Sequence, residues 1–172
     1  MSRMQRKITR VERIQSKTER LRLNRFYLDI RFEITQKDQE LVPDRSIILS
    51  WLGVIFNPSR EQELSLFIVS SDKMQELNSI HRKKNQKTDI ISFPNLERLA
   101  LNSSPVLLGD IVISPRTLLE RAKQNQESIT ERWLRLFIHG SLHLLGYHHY
   151  QNHPRKKMER AEKKYFNSLN SS

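Results

Sequence analysis

The stretch Ser128–His149 reads SITERWLRLFIHGSLHLLGYHH, a helix with both of its ends written into it. Ser128 with Glu131 three residues on is a capping box, in which each side chain satisfies the other residue's backbone N–H. Trp133, Leu134, Phe137 and Leu142 then recur at helical spacing, and Gly146 is placed to stop the helix. On either side the chain gives further elements. A helix begins at Pro115, where proline suits a first turn, and runs to about Gln126. A last one, about 154–169, carries Met158, Ala161, Tyr165 and Leu169 on one face. Upstream, the alternation from Leu28 to Ile34 predicts a half-buried strand, and Glu63–Ser70, Thr88–Phe93 and Leu107–Ile113 predict three more. Ile47 to Ile55 forms a helix stopped at Asn57-Pro58, and Ser71-Asp72 opens another that runs to about Arg82. Four strands come mostly first and about five helices gather at the end. The expectation is an α+β single domain, a four-stranded mixed sheet packed on helices.

The chain has 172 residues, one domain's worth, with 30 basic and 19 acidic residues and a net charge of +11. That charge is unevenly placed. Residues 1–25 hold nine basic and two acidic side chains, and residues 151–172 hold six and two, whereas 26–150 hold fifteen of each. A histone-like protein, basic throughout, is excluded. A neutral body with basic ends suits a polyanionic partner such as nucleic acid. Residues 1–24 read as a basic, flexible or partly helical extension, and 25–172 as the folded domain. There is no cysteine, so disulfides and thiolate metal sites are excluded. No apolar run reaches the roughly 18–20 residues of a membrane span, which argues against integral membrane association. The N-terminus lacks the apolar core of a secretory signal. Its Arg content resembles an organellar transit peptide, against which Glu12 and Glu19 count.

Four of the six histidines, His139, His143, His148 and His149, fall within eleven residues. His139 and His143, four apart on a helix, share one face and can converge on one ion. Gly146 then turns the chain so that a third imidazole, His149 in the pattern H-x-x-x-H-x-x-G-x-x-H, can return to it. Three neutral nitrogens with a fourth position open is the arrangement of a catalytic zinc site, here at the end of a C-terminal helix. The spacing is that of metzincin peptidases, yet Gly140 stands where their general-base Glu would be, and this demotes peptide hydrolysis. A phosphodiester, whose oxygens metal and arginine can meet, is the better substrate. His81–Lys87 has no apolar residue and reads as a basic loop. Phe93-Pro94 and Tyr147 offer stacking faces for bases, or serve as core and turn anchors.

Residues 139–149 resemble the signature H-G-x-L-H-L-x-G-Y-D-H of the YbeY family of metal-dependent endoribonucleases, with His148 in place of Asp as the one departure. Leu77-Asn78 with Arg82, Thr88–Pro94, Leu108–Ile113, and Met158 with Glu162 resemble further blocks of that family in the same order, spanning about residues 64–165. The resemblance implies a single-strand-specific, zinc-dependent endoribonuclease. Such an enzyme acts in ribosomal RNA maturation (16S-type 3′ end processing) and ribosome quality control. It implies one Zn²⁺ per chain on His139, His143 and His149, and Arg82 as the catalytic arginine at the cleft. The partners implied are ribosomal RNA or its precursor, with the ribosomal subunit or assembly proteins. Arg82, Lys83, Lys84 and Lys87 are the expected RNA contacts. His148 replaces a carboxylate and can act as a neutral base, a fourth ligand or a tolerated change. Asp110 reads as a residue facing the cleft or as a partner for the basic loop, with the second favoured. The alternatives are an RNA-binding assembly factor with a structural zinc, and a metal-dependent hydrolase of another substrate. The expected compartment is the cytoplasm, or a plastid or mitochondrion if residues 1–24 are a targeting segment.

Overall fold

A computed structural model describes residues 14–56, 59–97, 104–149 and 152–170. Five of the nine N-terminal basic residues (Arg3, Arg6, Lys7, Arg10 and Arg13) and the Asn57-Pro58 stop lie outside the described residues. The chain runs β1 (Gln15–Leu23), β2 (Phe26–Ile34), α1 (Gln36–Gln39), α2 (Arg45–Ile55), β3 (Gln62–Val69) and α3 (Ser71–Arg82). It continues through β4 (Ile90–Pro94), β5 (Val106–Ile113), α4 (Pro115–Asn125), α5 (Ile129–Leu144) and α6 (Asn152–Asn170). This is the expected α+β domain. The strands form one sheet in the order β1-β2-β3-β5-β4, with β2, β3 and β5 parallel and the two edge strands antiparallel to their neighbours.

The alternation in β2 is complete: Phe26, Leu28, Ile30, Phe32 and Ile34 are all buried. They meet Leu64, Leu66 and Ile68 of β3 and Ile111 and Ile113 of β5 on one face of the sheet, against Trp51 of α2 and Trp133 and Phe137 of α5. The opposite face carries a smaller cluster of Val69, Met74, Ile91 and Val112, with Leu77 of α3 and Phe93 beside it. The central strand β3 is buried on both faces, as a parallel strand between two layers must be.

Among the described residues the sheet has five strands where four were expected, and the helices number six with the single turn α1. The extra strand, β1, lies in the segment read as a flexible or partly helical extension. The 24/25 boundary therefore falls inside the β1–β2 hairpin, which pairs from Gln15↔Ile34 to Leu23↔Phe26. Nearly every β1 side chain is exposed or half-exposed, so the strand shows no buried alternation. Its charges are those of an edge strand protected against sheet-to-sheet association. They are also paired to the body. Arg20 bonds Asp29 of β2 and Glu63 of β3, and Arg45 of α2 holds Glu19 through Nε and Nη2 at 2.7 and 2.8 Å.

The Arg45 hydrogen bonds, with help from Lys17, lower the Glu19 carboxyl from the ordinary 4.5 to about 2 against a smaller opposing effect of burial. A carboxylate with a lowered folded-state pKa stabilises the fold above its unfolded pKa, and the contribution disappears as pH falls toward 2. The pair is partly solvated, so Glu19→Gln should cost about 1 kcal/mol or less at pH 7. In denaturant titrations at a series of pH values, the variant should lose stability less steeply than wild type between pH 4.5 and 2. Parallel curves would show that this pair does not tether β1.

Candidate metal centre

The helix that carries the site, α5, is fixed at its start. Ser128 Oγ accepts from Glu131 N–H, and a Glu131 carboxylate oxygen accepts from Ser128 N–H, each at 3.1 Å. Trp133 Nε1 donates to the carbonyl of Leu41 at 2.7 Å, tying the first turn to the α1–α2 connection. Farther along, the helix lies so close to β4 and β5 that a Cβ on Gly140 would sit 3.0 to 3.1 Å from Ile90 Cδ1, Ile111 Cδ1 and Ser92 Oγ. The position that holds the peptidase glutamate in the H-E-x-x-H motif thus faces the sheet here and has no room for a carboxylate.

The end of α5 is a Schellman reversal. Gly146, at φ 96°, bonds through N–H to the His143 carbonyl at 3.0 Å, and Tyr147 N–H bonds to the Leu142 carbonyl at 2.9 Å. The reversal does two things at once. It swings the Tyr147 carbonyl over to accept from His143 Nδ1 at 3.0 Å, and it carries His149 back beside the helix. On the other flank, Glu162 of α6 accepts from His139 Nδ1 at 2.6 Å.

Both oxygens are acceptors, so each ring carries a proton on Nδ1, which in the neutral tautomer leaves the Nε2 lone pair free. Those two Nε2 atoms face each other at 3.1 Å. Two lone pairs at that distance repel unless a cation lies on them both. The edge of a tetrahedron with Zn–N of about 2.0–2.1 Å is about 3.3 Å, so the spacing fits zinc. One nitrogen from each of His139, His143 and His149 falls within 4.8 Å of the others. Burial, reinforced by the proximity of His139, His149 and Arg82, pushes the His143 imidazole down to about 4 against the Tyr147 bond, so it is neutral at pH 7. Neutral imidazole is the metal-binding form. The donor set therefore fits a divalent ion, with the first two ligands oriented by oxygens behind them.

These nitrogens line an open cleft of about 910 Å³, shared with Arg82, Lys84, Ile90, Pro94, Leu96, Tyr147 and His148. Arg82 ends α3, and Lys83 caps it in the left-handed region at φ 55°. The loop that follows is held by Asn78, a buried residue of α3 whose Nδ2 donates to the carbonyls of Lys84 and Gln86 at 3.0 and 2.8 Å. Lys83 and Lys87 lie elsewhere; Lys87 lines a separate hollow with Arg121 and Arg132. His148 lines the cleft but is outside the histidine group. Asp110 falls in β5 between Ser65 and Phe93, on the strand face it shares with Val112 and opposite the one Ile111 turns to α5. No ion pair between Asp110 and the basic loop occurs among the described residues. Phe93 packs edge-on against His81 in the smaller cluster, whereas Pro94 and Tyr147 do line the cleft.

The hydrogen bonds of Glu162 and Asn78 join segments apart in sequence, and the one sequence signal for these residues is their fixed spacing from Met158 and Arg82. Asp89 is buried and ion-paired with Arg132 of α5, which makes it a brace for that helix.

Residues 31–170 match the family profile described as "Endoribonuclease YbeY". The chain is 33% identical over 138 residues to the endoribonuclease YbeY of Francisella tularensis subsp. tularensis, covering 78% of this chain and 82% of that protein. The subsp. novicida protein of the same name gives 33% identity over 138 residues and 85% coverage. The chain belongs to the YbeY family. Among solved structures it is similar to the solution structure of TM1509 from Thermotoga maritima, with TM-score 0.51 and 25% identity over 76% of this chain and 79% of that one.

Removing the carboxylate behind His139 should loosen the site without unfolding it. Glu162→Ala is expected to weaken zinc binding by roughly 10–100-fold, measured by chelator competition, with an unchanged circular-dichroism spectrum. Wild-type affinity in that variant would mean that the 2.6 Å contact does not orient the ligand.

Proposed function

We propose that this protein is a zinc-dependent, single-strand-specific endoribonuclease that matures ribosomal RNA precursors (16S-type 3′ end processing) and serves ribosome quality control. The observation that carries this reading is the pairing, in one cleft, of three converging imidazoles with the Arg82 guanidinium and Lys84. Family membership supports it, since the Francisella relatives bear the name endoribonuclease.

On this reading one zinc ion per chain, held by His139, His143 and His149, supplies a Lewis acid and a water acidified toward neutrality. Arg82 is the catalytic arginine. Its planar fork grips the scissile phosphate and meets the charge that builds on the phosphoryl oxygens in the transition state. Lys84 adds a second cation on the same wall, while Lys83 and Lys87 contact RNA beyond the cleft. The cleft lining also includes the apolar Ile90, Pro94, Tyr147 and Leu96, the last 90% exposed. A cleft lined by both cations and apolar groups suits a strand whose bases are splayed from its backbone, the condition met by single-stranded RNA. His148 stands at the cleft wall where the family has Asp, placed to exchange protons with solvent. Asp110 acts from β5 only through the strand that positions Phe93. Ribosomal subunit or assembly proteins are the proposed partners, the cytoplasm is the proposed compartment, and the basic residues that precede β1 in the sequence add to docking or targeting. No described helix is long and apolar enough to cross a membrane.

Purified full-length protein should cut unstructured RNA, lose that activity to a chelator and regain it with Zn²⁺. His143→Ala should abolish both metal binding and cleavage. Arg82→Glu should keep its metal while cleavage falls by roughly 10²–10³ or more. Equal cleavage by all three proteins would trace the activity to a contaminant, and RNA binding without any cleavage would favour an assembly factor with a structural zinc.

A further inference from the structure

The basic residues of the chain differ in what they are attached to. On β1, Lys17 is paired with Glu19, and Arg20 with Asp29 and Glu63, so these charges are compensated locally. On α6 the situation is reversed. Its two carboxylates are both engaged: Glu159 with Arg155, and Glu162 with His139. Lys156, Arg160, Lys163 and Lys164 are exposed and form no ion pair among the described residues. At 3.6 residues per turn, positions 156, 160, 163 and 164 fall on one face of the helix, away from the buried Met158. Glu162 lies off that face, and Glu159, at its edge, is taken up by Arg155. The result is a strip of uncompensated cations about 12 Å long from Lys156 to Lys164.

The strip begins at the cleft. Tyr147 and His148 line the metal cleft on one side and, on the other, a hollow of about 310 Å³ that includes His153 and Lys157. Lys157 Nζ sits 5.4 Å from the centre of the Tyr147 ring. Tyr147 thus links the histidine cleft to Lys157, the neighbour in sequence of Lys156 at the head of the strip.

We propose that this face of α6 is a docking strip for the RNA backbone on one side of the scissile phosphate, with Tyr147 and Lys157 as the bridge from the cleft. The proposal rests on the reading of the cleft as an RNA site. Long RNA is held by cleft and strip together; a fragment short enough to stay within the cleft never reaches the strip. Several uncompensated cations in a row neutralise successive phosphates and release their counterions, which gives binding a measurable salt signature.

The test uses the full chain loaded with zinc and the triple variant Lys156→Gln, Arg160→Gln and Lys164→Gln, which keeps good helix formers at every position. Affinity is measured against salt concentration for an unstructured RNA of about 20 nucleotides and for one of about 4, the lower end of a single-strand site. For the long RNA the slope of log K against log salt should become shallower by about 2, at 0.7 per lost phosphate contact, with weaker binding at every salt concentration. The short RNA should bind both proteins alike, with metal content and melting temperature unchanged. An unaltered slope for long RNA, or equal losses for both lengths, overturns the strip. Loss of binding to phosphatidylserine vesicles with the RNA slope intact overturns it in favour of a membrane surface. A shallower slope in a protein that cuts no RNA keeps the strip and removes the nuclease reading, whereas no RNA binding by wild type removes both.

Discussion

Everything at the cleft depends on how closely α5 lies against the sheet. Gly140 permits that approach, because any side chain there would press on Ile90, Ile111 and Ser92 within about 3 Å. The helix is clamped over its length by the capping box at Ser128, the Trp133 bond to Leu41, the Arg132–Asp89 ion pair and the burial of Phe137 and Leu142. With the helix fixed, His139 and His143 have fixed origins on one face, and the reversal at Gly146 can deliver both an orienting carbonyl and a third imidazole. A shift of α5 by one ångström would move two ligands together but leave Glu162 and the β4 wall behind. The candidate metal centre is therefore a property of a helix–sheet contact as much as of three histidines.

The same contact separates two kinds of glycine. Gly140 is needed for space within a regular helix, whereas Gly146 is needed for its backbone conformation. Its φ of 96° is one that side-chain-bearing residues rarely adopt. Replacing the first costs packing, and replacing the second costs the turn that returns His149. Neither carries any chemistry itself, and together they determine where the chemistry can be.

Much of this was legible in the sequence because it is local. The capping box, the apolar stripe, the helix-ending glycine and the histidine spacing are all short-range patterns, and α5 follows them from Ile129 to Leu144. Buried alternation gave β2, and Pro115 gave the start of α4. What was not legible is long-range. β1 is an exposed edge strand whose support comes from hydrogen bonds to β2 and from arginine pairs to Asp29, Glu63 and Arg45's partner Glu19, so neither period nor composition distinguishes it from a charged tail. Glu162 reaches His139 across 23 residues of sequence, and Asp89 reaches Arg132 across 43. Asn78 looks like an ordinary helix residue until the loop it holds has folded over it. The charge count was similarly ambiguous: the N-terminal excess is partly consumed by the fold, and the C-terminal excess is left on the surface of α6.

The central claim is that His149, delivered by the turn at Gly146, closes a metal site that His139 and His143 begin, and that the adjacent His148 does not. Bound metal per chain, measured by elemental analysis on wild type and on separate His148→Ala and His149→Ala variants, tests it most directly. The account predicts about one zinc in wild type and in His148→Ala, and a loss of roughly one ligand's worth of affinity in His149→Ala that leaves the purified protein metal-depleted. Full occupancy in His149→Ala, or depletion in His148→Ala alone, would contradict it.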